Sequence, residues 1–315
     1  MTVCGIDGSC GRENMLASDI VCSAAFAFEG FNDTDSQSHW NGPVYRLDAL
    51  AEEAVPETGP LFRAILAQRK AILAVSAPHD IVLLRGSYVK LFVDMMSGLQ
   101  PAMRSRDTKT AKTYIAGLKE SVAAFASLSH ANAGTIFAGM PREDDSSEFT
   151  GFMGFSGRIR QSVLMTLLIG AGEFAGPLDM NSRILDVVRS LPIKDKTFAD
   201  MRDAIIDGIG GYRVLYYRPK AWTPAFRIEI PGSLADDSAR LADFLTGIDH
   251  QCITTGINVP FPLYCAAKAA SNFRGAVKAI RASTMPNITS ELQESTTDIL
   301  PFLKDNDMNA GVDNE

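Results

Sequence analysis

The chain opens on short, dense apolar runs and only later shows the wider spacing of amphipathic helices. Residues 2–7 (TVCGID) are apolar and β-prone, and the pattern breaks at Gly8-Ser9. Residues 20–28 (IVCSAAFAF) form a second run, read as a buried strand, with a third strand at 44–47. Over 57–75 the apolar positions Leu61, Ile65, Leu66, Ile72 and Leu73 recur at helical spacing, and Pro78 ends the pattern. Residues 80–84 (DIVLL) give an intensely apolar strand, stopped by Gly86-Ser87. Helices are predicted over 88–96 and 108–129, a strand over 134–138, and an exposed acidic loop at 141–150 (PREDDSSEFT).

In the second half, helices are predicted over 158–169, 200–209, 238–252 and 263–282. The segments 212–217 (YRVLYY) and 224–230 (PAFRIEI) alternate on either side of a proline-bearing break, the pattern of a hairpin. Pro286 ends the long helix, and a capped helix starts at Ser290. Strands come first and helices then separate them, in the order β-β-β-α-β-α-β. That order predicts an α/β fold with a mixed sheet flanked by helices, of the ribonuclease H-like kind, with helical and hairpin additions. The expected organisation is one domain over 1–285 with a helical insertion near 100–210, then a C-terminal helix and acidic tail over 286–315.

Composition limits the function classes. With 46% apolar and 21% charged residues among 315, and mean hydropathy +0.03, the chain has the makeup of a globular protein. No apolar run reaches the roughly 18–20 residues that span a bilayer. The first residues lack a basic region followed by an apolar core, so no secretory signal is expected. Five cysteines without a C-x2-C pair point to a reduced, cytoplasmic chain, with Cys4 and Cys22 as small core residues. His39, His79, His130 and His250 are scattered, which argues against a zinc site. The net charge of −7 argues against wholesale nucleic-acid coating but leaves room for a local basic groove.

Two short motifs carry the candidate chemistry. GIDGS (5–9) places Asp7 at the end of a buried strand, where ligands of α/β sheets sit and where a carboxylate suits Mg²⁺ or Mn²⁺. VLLRGS (82–87) repeats that grammar with Arg85 in the polar position. Two-metal phosphodiester chemistry needs several converging carboxylates, and a guanidinium cannot ligate a cation.

The ordered set of these motifs, followed by RIEIP (227–231) and the segment 256–267 (GINVPFPLYCAA), resembles the NurA nuclease family. In that family the first motif is Asp-Gly-Ser after a strand and the second is Leu-Leu-Asp-Gly-Ser. A late strand reads Arg-Val/Ile-Glu-Ile-Pro, and a final helix opens with Gly-Tyr-Pro-Tyr-Pro-Leu and then Ala-His. The resemblance implies a ribonuclease H-like core, a homodimer, Mn²⁺-dependent DNA cleavage and a HerA-type hexameric ATPase as partner. Carried over by position, Asp7 matches the first metal carboxylate. The second carboxylate falls on Arg85, the helix glutamate near Gln68 or Arg69, the late tyrosine near Val259 and the histidine near Ala267. Arg85 is therefore expected close to Asp7, replacing the metal electrostatically. Glu29, Asp94 and Glu173 are the conceivable rescue ligands.

Basic residues supply a candidate DNA channel: Arg104, Arg106, Lys109, Lys112, Arg213, Arg218 and Lys220, with Arg274, Lys278 and Arg281 further on. Lys109, Lys112 and Lys119 equally fit a solvated helix face. Tyr212, Tyr216, Tyr217 and Trp222 could stack bases, or pack a hairpin against the core or a second copy. Three functional readings follow. The first in rank is a catalytically degenerate NurA-like subunit, acting as scaffold or DNA-channel element with a HerA-type ATPase or an intact nuclease paralogue. The next is an active nuclease using Mn²⁺ or Mg²⁺ at Asp7. The last is an unrelated phosphate-binding α/β enzyme, for which no GxGxxG or GxxxxGK[ST] loop exists.

Overall fold

The computed structural model describes residues 1–14, 19–31, 45–54, 59–99, 102, 108–129, 134–141, 160–180, 183–193 and 196–291. Arg104, Arg106, most of the acidic loop and the acidic tail lie outside them.

The sheet is built from β1 (Val3–Asn14), β2 (Asp19–Glu29), β3 (Tyr45–Ala54), β4 (Ile81–Arg85), β5 (Ile136–Met140), β6 (Glu173–Asp179), β7 (Arg213–Arg218) and β8 (Phe226–Ile230). Their spatial order is β3-β2-β1-β4-β5-β8-β7-β6. Parallel ladders join β1 to β4 and β4 to β5, and antiparallel ladders join the rest, so the sheet is mixed. The first five strands, antiparallel at the β3 edge and parallel in the middle, have the ribonuclease H-like arrangement.

Side-chain alternation along the central strands divides the core into two layers. Cys4, Ile6, Val82 and Leu84 face α1 (Gly59–Val75), α2 (Tyr88–Ser97) and α3 (Thr108–Ser129), through Phe62, Ile65, Leu73, Phe92 and Tyr114. Val3, Ile81, Leu83 and Ile136 face the opposite way, toward Leu241, Phe244, Ile248 and Leu263. The remaining helices are α4 (Gln161–Leu168), α5 (Arg183–Arg189), α6 (Lys196–Gly210), α7 (Gly232–Ala235), α8 (Ser238–His250) and α9 (Phe261–Glu291).

Several sequence expectations change here. Gly8-Ser9 does not end the first strand. β1 loses β4 as a partner after Ile6 but stays paired with β2 as far as Asn14. The glycine serves close packing: a Cβ on Gly8 would lie 2.8 Å from the Ala24 carbonyl oxygen. Pro286 does not end the last helix, which runs on to Glu291 with one fewer backbone donor. β5 forms close to the strand expected over 134–138, and it is a central strand of the sheet. β6, missed at the glycine-rich break after α4, is the outermost strand beside β7. The hairpin of β7 and β8 forms as its alternation predicts. Among the described residues no helix is long and apolar enough to cross a membrane.

Candidate functional site

The site begins where β1 and β4 part. Their ladder runs from Val3↔Ile81 to Ile6↔Leu84, one residue short of Asp7 and Arg85. Both residues then line one cleft. The cation against the carboxylate is a different one. Lys70, on α1, reaches from the opposite layer into the fork, with Nζ 3.7 Å from Asp7 Oδ1. The same ammonium donates to the Arg85 carbonyl at 2.5 Å. Asp7 Oδ1 also accepts the Gly8 N–H at 2.7 Å. Burial pushes the Lys70 pKa below its usual value, even though Asp7, and less directly Asp94, pull it back up.

Lys70 was not singled out by sequence reasoning, and helix geometry explains why. The position read as the lost glutamate, Gln68, is buried and points elsewhere: its amide donates to the Tyr114 carbonyl at 3.4 Å, against α3. Two residues further along a helix turn the side chain by about 200°, to the opposite face. Lys70 therefore occupies the sheet-fork position that the family resemblance assigned to Gln68 or Arg69.

The turn carrying Arg85 is tightly held. Gly86 has φ +115°, a conformation L side chains rarely adopt, and it stops β4. Ser87 caps α2, accepting the Lys90 N–H. Behind the turn sits Glu229 on β8, buried, which accepts the Ser87 hydroxyl at 2.9 Å and the Tyr88 N–H at 2.7 Å. Arg227, also buried, donates to the other Glu229 oxygen. Gly139 keeps this packing possible, since a Cβ there would lie 2.6 Å from Tyr88 N.

The cleft has a volume of about 270 Å³ and is lined by Asp7, Gly8, Ser9, Arg85 and Gly86, with Ala267, Ala270 and Ser271 from α9. Ala267, read as the lost histidine, thus does sit at the site; Val259, half-buried ahead of α9, does not line the cleft. Among the described residues no three His, Cys, Asp or Glu side chains come together as a metal site. The rescue ligands do not supply one. Glu29 faces His79 at 3.7 Å, opposite Cys4, three residues back from Asp7. Glu173 accepts the Gly170 N–H at the far edge of the sheet. Asp94 lies among Lys90, Arg63 and Lys70, and burial raises its pKa. One carboxylate with an ammonium against it does not fit a divalent ion, which asks for several oxygen donors.

Three of the basic positions proposed for DNA, Arg213, Arg218 and Lys220, are engaged within the protein. Arg218 donates to the carbonyls of Thr166, Ile169, Ala221 and Thr223, closing the end of α4. Lys220 pairs with Asp249 at 2.5 Å, and Arg213 with Asp179 at 2.9 Å. Lys112 is exposed on α3; the side chains of Lys109, Arg274 and Arg281 lie outside the described residues. Tyr212 stacks on Tyr88 at 4.5 Å, Tyr216 donates to Gln161 Oε1 and Tyr217 is buried, so these tyrosines are core residues. Trp222 is 44% exposed.

No protein-family model matches the sequence, and no curated protein matches it. Solved structures do. The fold is similar to the crystal structure of the NurA nuclease from Sulfolobus solfataricus, at 14% identity over 93% of this chain and 84% of that one, with a TM-score of 0.58. A second crystal structure of NurA matches at 9% identity over 86% and 84% of the two chains, TM-score 0.52. A crystal structure of NurA with manganese matches at 10% identity over 90% and 89%, TM-score 0.51. This chain resembles the NurA family in fold over nearly its whole length.

Proposed function

We propose that this chain is a NurA-like DNA-processing subunit in which internal cations have taken the place of the metal, leaving a non-hydrolytic scaffold or DNA-channel element. The observation that carries this reading is the Lys70 ammonium, 3.7 Å from the Asp7 carboxylate at the fork of β1 and β4. Metal-assisted phosphodiester hydrolysis draws on carboxylates that hold ions against the scissile phosphate. Here the carboxylate charge is met from within the chain, and a divalent ion would have to enter against Lys70 and Arg85. Arg85 and Ala267 line the same cleft without offering a metal ligand.

In this reading the subunit is cytoplasmic and homodimeric, and it works on DNA with a HerA-type hexameric ATPase or an intact nuclease paralogue that supplies the chemistry. The deciding assay incubates the purified chain with linear DNA and Mn²⁺, beside Asp7→Ala. No cleavage by either protein is expected. Cleavage that Asp7→Ala abolishes overturns the reading and identifies an active Mn²⁺-dependent nuclease. Co-purification of an ATPase with the tagged chain tests the partner assignment.

A further inference from the structure

Large apolar side chains exposed singly are ordinary on a protein surface, but here several gather at one corner. Arg218, at the end of β7, draws three segments together. Its guanidinium donates to the carbonyls of Thr166 and Ile169 at the end of α4, and to those of Ala221 and Thr223 in the β7–β8 turn. Its own carbonyl accepts the Gly172 N–H just ahead of β6. The side chains that these segments leave outside are Leu167 (80% exposed), Leu168 (58%), Phe174 (44%) and Trp222 (44%). The Lys220–Asp249 pair ties the same turn to the end of α8, beyond which Ile253 is 46% exposed. These five belong to the nine large apolar side chains exposed among the described residues, which is clustering rather than scatter.

Taking about 200 Å² for a large apolar side chain, they leave roughly 500 Å² of apolar surface uncovered. That lies in the upper range of the largest patch on a monomer, and is over half of the about 800 Å² that each partner brings to a stable interface. The cations at the corner are engaged: Arg218 by carbonyls and Lys220 by Asp249. The surface therefore offers little to a nucleic-acid backbone, and it can face an identical surface without strong like-charge repulsion. β6 is the outermost strand, but the register shift between Ala175 and Leu178, and Pro177 without an N–H, spoil its outer edge for adding a further strand. The contact is one of side chains.

We propose that this corner is a two-fold interface, covered by the same corner of a second copy of the chain. The proposal rests on the homodimeric part of the reading above and names the surface that forms the dimer. None of the five side chains lines the cleft of Asp7, and β5, β8 and β7 lie between β4 and β6, so both clefts stay open in the dimer.

The test is sedimentation velocity of the full chain over a concentration series, for wild type, Leu167→Asp, Trp222→Ser and Glu120→Lys. Wild type is expected to dimerise at micromolar concentration. Leu167→Asp puts a carboxylate into the apolar contact twice per dimer and should weaken association by about a hundredfold or more. Trp222→Ser should weaken it by about tenfold or more. Glu120 is exposed on α3, and Glu120→Lys should leave the dissociation constant unchanged. Circular dichroism checks that each variant is folded; Leu167 is the most exposed of the five, so its monomer is expected to stay intact. A wild-type dimer whose dissociation constant is unchanged in either folded corner variant overturns this interface and leaves the homodimeric reading standing. Equal weakening by Glu120→Lys also overturns the assignment to this corner. A monomeric wild type, alone or with a different protein bound at the corner, overturns both the interface and the homodimeric reading. The Mn²⁺ cleavage assay decides the non-hydrolytic reading independently of all four results.

Discussion

The pairing of Asp7 with Lys70 can be isolated by a double-mutant cycle of Asp7→Asn and Lys70→Met. Asparagine keeps an oxygen for the Gly8 N–H and removes only the charge; methionine keeps most of the length of the lysine and removes the ammonium. The two side chains are 14% and 11% exposed, so screening by solvent is limited. At 3.7 Å, an effective dielectric of about 20 gives an attraction of about 4 kcal/mol. Asp7→Asn alone leaves a buried ammonium facing Arg85 without its carboxylate, and should destabilise the chain by about 3 kcal/mol. Lys70→Met alone should cost less, because Asp7 borders the open cleft and can be hydrated. The double variant should return to within about 1 kcal/mol of wild type, since replacing a buried pair by neutral groups is often close to neutral. Urea unfolding in EDTA measures all four corners. Single effects that add to within about 0.5 kcal/mol would refute the pairing. So would a wild-type unfolding midpoint that rises with Mn²⁺ and ceases to rise in Asp7→Asn, because an ion bound only by the native state stabilises it by mass action.

Two further outcomes follow from the packing around the site. Gly5→Ala would place a Cβ 2.4 Å from Leu263 N and 2.5 Å from the Pro262 carbonyl carbon, all backbone, so α9 must shift off β1 at a cost of about 1–3 kcal/mol. A urea midpoint equal to wild type would show that α9 does not approach β1 so closely. Glu229→Gln leaves Arg227 buried without a full counter-charge and sets an amide NH2 among donors, so a loss of about 3 kcal/mol is expected in the same unfolding assay; a loss below about 1 kcal/mol would mean that the Arg227–Glu229 pair is hydrated.

Much of this fold was readable along the chain because its signals are local. The apolar run of β4 ends at Gly86, the glycine that the positive φ requires, and β7 and β8 show their alternation plainly. The ordered motifs placed Asp7, Arg85 and Ala267 at one site, and all three line the cleft. What failed was of another kind. Gly8-Ser9 has the composition of a turn, yet the β2 ladder holds it as strand, because pairing with a distant segment outweighs local preference. β6, Glu173–Asp179, is exposed along much of its length and so carries no strong apolar alternation. The basic residues Arg213, Arg218 and Lys220 read as a channel when counted, but each is engaged by Asp179, backbone carbonyls or Asp249.

By itself, then, the sequence determined an acidic globular chain with a mixed sheet, one carboxylate in the first strand and, by the family resemblance, an arginine where a second would be expected. Those features depend on residue type and on neighbours a few positions away. Only the tertiary structure decided which cation meets Asp7. That choice depends on the phase of α1 against the sheet and on the point where β1 and β4 separate, and it brings Lys70, 63 positions away in the chain, to 3.7 Å. A shift of two residues on a helix moves a charge to the opposite face, so the identity of the cation beside Asp7 becomes visible only when the layers are packed together.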